Sequence, residues 1–303
     1  MISFRAHVVT IVAVFLALAV GLLCGAAFVQ PALQQELEKR TNELRDQNGE
    51  LRSQIDEVRL EIGRLQGFAD AALPHLTAGR LQGAKVVIVT QPGVQDEVLA
   101  EALAALSTGG AEVLTTISAS DQLASTDPAT QIQLAAVLGQ PSVPPEELPA
   151  LAAQALAERL SSGSAQPGDD VLNDLLSAGF LAPVGAGPSE ATLQEIGASG
   201  QVVLVLSGGG EPSPLMPETF AVPLVRSLAT LGVPVAAGES LLSDLPYVTL
   251  VRAGEDATTL TVDDLDQTMG GAALVLGLAD LLATGRGGAY GVKDGSAPLP
   301  PLP

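Results

Sequence analysis

The first long feature of the chain is an uninterrupted apolar run. Residues 8–29 have the sequence VVTIVAVFLALAVGLLCGAAFV, which contains no charged side chain. About 20 such residues in a helix cross a hydrocarbon core of about 30 Å, because each residue rises about 1.5 Å. The run therefore predicts a transmembrane helix within residues 1–30. A cleaved signal peptide, with Gly25 and Ala27 before the cut, is the alternative, although its apolar region is usually about 7–15 residues long.

Charges around this run bear on its orientation. Arg5 and the amino terminus precede it and favour a cytoplasmic amino terminus, whereas Lys39, Arg40 and Arg45 follow it and oppose that orientation. Long domains after a span are translocated largely regardless of charge. We therefore expect a single-pass protein of the cell membrane, with a cytoplasmic amino terminus and an extracytoplasmic C-terminal domain.

Small residues recur at every fourth position of the apolar run, at Ala17, Gly21 and Gly25. The last two form a GxxxG motif. Small side chains at this spacing let two helix backbones approach closely in lipid. These three residues are therefore candidates for dimerisation within the membrane.

A heptad pattern begins after Pro31, where we expect the span to end. Leu37, Leu44, Leu51, Val58 and Leu65 occupy position d, and Thr41, Asn48, Ile55, Ile62 and Ala69 occupy position a. Ile at a with Leu at d favours a parallel two-stranded coiled coil, and a single Asn at a fixes register and dimer state. The pattern predicts a homodimeric coiled-coil stalk over residues 31–72. Its candidate dimerisation residues are Leu37, Leu44, Asn48, Leu51, Ile55, Val58, Ile62 and Leu65. A single amphipathic helix lying on the protein's own globular domain is the alternative.

Beyond the stalk, short β-branched runs alternate with helical periodicity. The runs predict strands at residues 84–90, 112–117, 201–206, 233–236 and 247–251. Helices are predicted at residues 96–106, 128–139, 145–161, 169–179, 189–197, 218–231 and 271–283. The opening strand–helix–strand order is typical of a parallel sheet. We predict an α/β fold with a mostly parallel, Rossmann-like sheet domain over residues 80–285, a helical insertion around 128–197, and a disordered Gly/Pro-rich tail over 286–303.

Charge is unevenly distributed along the chain. The 303 residues carry 14 basic and 34 acidic side chains, a net charge of −20. Residues 71–303 hold seven of the basic and 25 of the acidic side chains, a net charge of −18. A surface of this sign repels phosphate, so nucleic acid is not an expected partner. The acidity is interpreted as a solvated surface, with a functional acidic face as the alternative.

One loop of the predicted sheet could bind a ligand. Ser207, Gly208, Gly209 and Gly210 directly follow the strand at 201–206. Parallel sheets bind ligands beyond the carboxyl ends of their strands, where backbone N–H groups can meet an anion. The loop lacks the GxGxxG and GxxxxGK[ST] patterns, and two prolines follow within four residues. A tight turn is the alternative, and no cofactor is evident.

Neither catalytic nor metal-ligating residues can be assigned. A Ser/His/Asp site needs a histidine base, and the chain has His7 beside the span and His75 at the stalk–domain junction. Carboxylates at positions 255–256 and at Asp263, Asp264 and Asp266 could hold a hard cation, but without the spacing of an EF-hand. Helix capping and a solvated surface are the alternative for these acids. We therefore expect a protein that is not an enzyme.

Two segments carry a resemblance to a known family. The amino-terminal sequence MISFRAHVVTIVAVFLALAVGLLCGAAF is similar to that of the mycobacterial-type copper transport proteins of actinobacteria. The late segment TVDDLDQT at 261–268, followed by an apolar helix and GGAYG at 287–291, is similar as well. The resemblance implies a membrane protein with an extracytoplasmic domain that serves copper export or homeostasis. It also implies a role in cell-envelope and division complexes with a membrane partner.

The side chains themselves do not provide an evident copper site. Copper(I) selects thiolate and thioether ligands, and copper(II) selects imidazole. The chain has one Cys, two His and three Met, without a CxxC, MxxM or paired-His motif. Copper is therefore a possible ligand by resemblance only. Two functions stay open: copper transport or homeostasis, and a non-catalytic dimeric scaffold of the cell envelope that binds protein partners through stalk and globular domain. An unrecognised α/β enzyme is a third hypothesis.

Overall fold

The structure is a computed structural model that describes residues 4–163, 170–185, 187–209, 213–243, 245, 247–254 and 257–301. Side chains are described over the same residues except for those of 4–6 and 26–37. The chain divides into two compact units, Met1–Gly67 and Phe68–Pro303, and we call the second unit the head.

One helix, α1, runs from Phe4 to Thr77. Its segment His7–Gly25 is long and apolar enough to cross a membrane, by length and composition. The helix continues through Pro31, where the span was predicted to end, and through Pro74, beyond the predicted end of the stalk at residue 72. Each proline removes one backbone hydrogen bond. The last turn is held within the head, because Leu73 and Thr77 are buried and the Thr77 hydroxyl donates to the Leu73 carbonyl over 3.1 Å.

The predicted heptad face lies along this helix. Six large aliphatic side chains at its a and d positions are exposed; they are Leu44, Leu51, Ile55, Val58, Ile62 and Leu65. The Asn48 side chain donates to the Leu44 carbonyl over 2.9 Å within the same helix. The side chain of Leu37 lies outside the described residues. Pairing of this face with a second chain stays a prediction.

Over the residues that the structure describes, seven strands form one sheet in the order β3-β2-β1-β4-β5-β6-β7. Their bounds are β1 Lys85–Thr90, β2 Glu112–Ala119, β3 Leu181–Pro183, β4 Val202–Leu206, β5 Val235–Gly238, β6 Thr259–Val262 and β7 Ala289–Tyr290. Strand β3 is antiparallel to β2, and every other described pairing is parallel. The predicted mostly parallel α/β sheet is therefore confirmed.

In the described part of the head, eight α-helices follow α1. Their bounds are α2 Asp96–Gly109, α3 Pro128–Val137, α4 Leu148–Ser162, α5 Val171–Ser177, α6 Glu190–Glu195, α7 Ala221–Thr230, α8 Val248–Arg252 and α9 Thr268–Thr284. Helices α2 and α9 cover one face of the sheet, in a core that includes Ile88, Leu204 and Leu260. Helices α3, α4, α5, α7 and α8 cover the other face, in a core that includes Val89 and Val205. Side chains of β1, β4 and β5 thus alternate between two cores, as a sheet buried on both faces requires.

The structure departs from the predicted elements near the end of the chain. Residues 248–252 form helix α8, not the strand predicted at 247–251, because the buried Glu239 carboxylate accepts the N–H groups of Tyr247 and Val248. Strand β6 was not predicted. The prediction of a disordered tail over 286–303 is wrong at Ala289–Tyr290, which pair with β6 as strand β7.

Candidate functional site

A network of buried carboxylates lies where β5, β6 and β7 end. Its first member, Glu239, directly follows β5 and is fully buried. One of its oxygens accepts the N–H groups of Tyr247 and Val248 over 2.9 and 3.1 Å, and the other lies 2.6 Å from the Lys293 ammonium. The side chain of Lys293 also donates to the Ser240 carbonyl over 3.4 Å. Glu239 is thus compensated by one cation and two amides, which is what a buried carboxylate needs.

The second member, Asp263, directly follows β6 and is also fully buried. Its Oδ1 accepts the N–H groups of Val292 and Lys293 over 2.7 and 3.1 Å. Its Oδ2 lies 2.7 Å from Nη1 of Arg252, an ion pair without the alignment of a hydrogen bond. Gly291 fits against this carboxylate, because a Cβ at that position would lie 2.2 Å from Asp263 Oδ1.

Arg252 joins these elements. Its Nε donates to the Thr261 hydroxyl over 2.9 Å, and its Nη2 donates to the Tyr290 carbonyl over 3.0 Å. One guanidinium therefore contacts β6, β7 and Asp263. The two late segments that carry the family resemblance, 261–268 and 287–291, meet at this network.

Asp264 has a different environment from its neighbour. It is 3% exposed, and its Oδ1 is buried without a hydrogen-bond partner among the described residues. Burial, followed by the charges of Asp263 and Asp266, raises the pKa of Asp264 to about 6. Asp266, by contrast, accepts the Leu241 N–H over 2.7 Å. The described part of the predicted acidic cluster therefore contains one buried ion pair, one buried acid with an unpaired oxygen and one backbone cap, and positions 255–256 lie outside the described residues.

The carboxylates of this network connect segments of the chain that are distant in sequence, and their oxygens are directed at backbone amides and cationic side chains of the protein itself. Among the described residues, no group of three or more His, Cys, Asp and Glu side chains could hold a metal. An open cleft of about 480 Å³ lies beside it, lined in part by Arg252, Thr259 and Thr261. Its volume is within the range of small-molecule sites. Arg252 already contacts Asp263, Thr261 and Tyr290, so its positive charge is largely neutralised and adds little to the potential in the cleft.

The predicted anion-binding loop lies in the interior of the head. Ser207, Gly208 and Gly209 are buried, and Gly210 lies outside the described residues. The Ser207 hydroxyl donates to the Gln91 side chain, and its N–H donates to the Gly238 carbonyl over 3.2 Å. A Cβ at Gly209 would lie 1.7 Å from the Gly93 carbonyl oxygen. The glycines thus serve close packing of two loops, and anion binding there stays a prediction.

The predicted membrane contact residues are all exposed in α1. Ala17, Gly21 and Gly25 lie on one side of the helix at a spacing of four, and an added Cβ at either glycine would meet nothing within 4 Å. Cys24 is a free, exposed thiol between them. Contact of this face with a second chain stays a prediction.

A second buried ion pair holds the helical insertion. Arg159 of α4 donates to both oxygens of Asp170 over 2.7 and 3.0 Å, and to the carbonyls of Leu193 and Ile196. Burial alone would raise the pKa of Asp170, but the hydrogen bonds and charge of Arg159 outweigh it, so that pKa lies below its usual value. This contact joins α4, α5 and α6.

The sequence pattern does not identify Glu239, Arg252 and Lys293 as site residues. The available signal was the scarcity of cations in residues 71–303, where seven basic side chains face 25 acidic ones. Arg159, Arg252 and Lys293 each pair with a buried or largely buried carboxylate. In so acidic a segment, each cation is a candidate for such a structural role.

Comparison with known proteins gives a match over almost the whole chain. The family model described as copper transport outer membrane protein, MctB, matches residues 1–301. The copper transporter MctB of Mycobacterium leprae is 29% identical, over 99% of each chain. The proteins of that name from Mycobacterium bovis and Mycobacterium tuberculosis are 27% identical, over 98% of each chain.

Proposed function

This chain belongs to the MctB family of copper transport outer membrane proteins, and on that premise we propose that it serves copper transport or copper homeostasis at a membrane. The family resemblance predicted from the sequence is confirmed. The match over residues 1–301 is the observation that carries the proposal. The apolar helix His7–Gly25 supports a single-pass membrane protein with an extracytoplasmic head.

In this proposal copper is a transported cargo, and the chain handles it together with a protein partner. The chain's soft ligands are few and dispersed: Cys24 lies in the apolar helix, and Met216 and Met269 lie apart in the head sequence. Copper(I) needs several thiolate or thioether ligands around one ion. We therefore propose that the chain has no catalytic role and contributes binding surfaces in a copper-handling complex.

Dimerisation belongs to the same proposal. Exposed Leu and Ile side chains at the a and d positions of α1 support a parallel coiled coil with a second copy. Gly21 and Gly25 support the same pairing within the membrane. This exposed face also favours a second candidate function, a non-catalytic dimeric scaffold of the cell envelope.

Copper content of cells separates the two functions. We expect a deletion strain to accumulate copper, and the full chain to restore the normal content by mass spectrometry. Normal copper content and copper tolerance in the deletion strain would overturn the copper proposal. Affinity purification of the membrane-embedded protein, with metal analysis of the same sample, then identifies the partner.

The dimer is tested with a matched pair of lysine substitutions. Asn48→Lys introduces a charge into the predicted seam, whereas Ser53→Lys introduces it at position f on the outer face. We expect Asn48→Lys, and also Gly21 and Gly25→Leu, to weaken chemical cross-linking of the full chain in membranes. Ser53→Lys should leave it unchanged. Equal cross-linking of all these variants would contradict the dimer.

A further inference from the structure

We propose that Phe68 of one copy docks into a groove in the head of a second copy, so that the dimer contact extends beyond the coiled coil into the heads. This inference rests on the proposed parallel dimer. The groove, which we call the junction groove, has a volume of about 200 Å³ and lies between the last turns of α1 and helices α2 and α9. Its lining includes Leu73, Pro74, Ala104, Thr108, Gly271 and Ala272.

Phe68 is the aromatic residue that we assign to this contact. It is 72% exposed, although an aromatic ring buries about 150–250 Å² when it is packed. A single exposed apolar side chain is ordinary on a protein surface. The position of Phe68 next to the heptad seam, at the first residue of the head, distinguishes it from an isolated one.

The heptad register directs Phe68 toward the junction groove of a partner. Counting on from Leu65 at position d, Phe68 occupies g and Leu73 occupies the following e. In a parallel dimer, a side chain at g flanks position e of the next heptad on the partner helix, as the charged pairs of coiled coils do. The partner's counterpart of Leu73 is therefore the residue that Phe68 approaches, and Leu73 lines the groove.

The head leaves the required side of α1 accessible. Leu73 and Thr77 are buried by the head, and Asp70 accepts the Thr268 hydroxyl over 2.6 Å, so the head packs on positions b and e. Leu76, at position a, is 38% exposed. Seam positions 69 and 72 are both alanine, whose small side chains allow a second helix to approach closely.

The groove suits an aromatic ring in size, and six of its ten lining residues are apolar; the others are Thr77, Glu101, Thr108 and Thr268. An apolar cavity of about 150 Å³ accepts a benzene molecule. Ala104, Gly271 and Ala272 present little side-chain volume, so the space between the helices is open to an incoming ring. In a two-fold symmetric dimer this contact occurs twice, because each copy contributes one Phe68 and one groove.

A matched pair of alanine substitutions measures the contact. Phe68→Ala should raise the dissociation constant of the full-chain dimer in detergent at least about tenfold, because two buried aromatic contacts are lost. Ile132→Ala removes a side chain of similar exposure, 70%, from α3 and should leave that constant unchanged. Equal dissociation constants for Phe68→Ala and Ile132→Ala would overturn the proposal.

Disulfide trapping locates the contact independently of its strength. In a Cys24→Ala background, two differently tagged populations carry Phe68→Cys and Ala104→Cys, and we expect an inter-chain disulfide between the tags. Ile132→Cys in place of Ala104→Cys should not form one. Leu51→Cys, in the seam, should cross-link to itself. If Leu51→Cys cross-links but the pair of Phe68→Cys and Ala104→Cys does not, the docking is overturned and the dimer is retained. If Leu51→Cys does not cross-link either, both the proposed dimer and this inference are overturned.

Discussion

The carboxylate network makes its clearest prediction at Lys293. Replacing it with Met keeps the length and apolar character of the side chain but removes the ammonium that lies 2.6 Å from Glu239. Glu239 is fully buried, so its charge would be left with two N–H donors and no cation. Breaking a buried ion pair by removing one partner costs about 3–5 kcal/mol. The Lys293 side chain is 25% exposed, so we expect a smaller loss, about 2–3 kcal/mol of unfolding free energy.

Tyrosine fluorescence can follow this loss in the full chain. The protein has no Trp and two Tyr, and both Tyr247 and Tyr290 are buried in the head next to the network. In detergent, with a urea m value of about 3 kcal/mol/M, the predicted loss lowers the unfolding midpoint by about 1 M. The signal reports the head because neither tyrosine lies in α1.

Lys85→Met is the matched control for this experiment. Lys85 forms a salt bridge with Glu195, but both side chains are 38% exposed, so water replaces the lost partner. We expect its midpoint to stay close to that of the unchanged protein. Equal midpoints for Lys293→Met and Lys85→Met would refute the assignment of Lys293 as the cation that compensates Glu239.

Two further substitutions test the same network. Because the pKa of Asp264 is raised to about 6 in the folded head, its contribution to stability is full below about pH 4 and is lost as pH rises through about 6. Asp264→Asn should therefore stabilise the head by about 1–3 kcal/mol at about pH 8 and flatten the pH dependence of its urea midpoint, which the exposed Asp294→Asn should not do. Gly291→Ala should destabilise the head, because φ is +125° and the added Cβ would lie 2.2 Å from Asp263 Oδ1. Gly295 also has a positive φ, but a Cβ added there would meet nothing within 4 Å, so Gly295→Ala is the control. We expect Gly291→Ala to lower the urea midpoint more than Gly295→Ala does. Equal losses for the two variants, or a smaller loss for Gly291→Ala, would contradict the proposed fit.

Much of the fold was predictable because it depends on local pattern. The run KVVIVT of β1 and the run VVLVL of β4 are short, β-branched and buried on both faces, which is the signature of parallel strands. The apolar helix α9 and the amino-terminal span of α1 are long enough for periodicity and composition to identify them. Elements of this kind need no information from distant residues.

The missed elements depend on contacts that are distant in sequence. The segment YVTLV at 247–251 has strand propensity, yet the Glu239 carboxylate caps it as a helix. Strand β7 has two residues and exists because β6 offers it a neighbouring strand. The site was missed for the same reason, since 54 residues separate Lys293 from Glu239 in the chain. No local pattern shows that these two side chains meet.

That sequence separation also imposes an order on synthesis. Glu239 and Asp263 are made before Val292 and Lys293, whose amides and ammonium compensate them. At about 5–20 residues per second, the 54 residues from Glu239 to Lys293 take about 3–11 s to synthesise. During that interval, the acids that follow strands β5 and β6 cannot be buried favourably, so this edge of the sheet stays unfinished until Lys293 is made. A chain truncated before Val292 would keep that edge open, and quality-control proteases would encounter it as an unfolded protein.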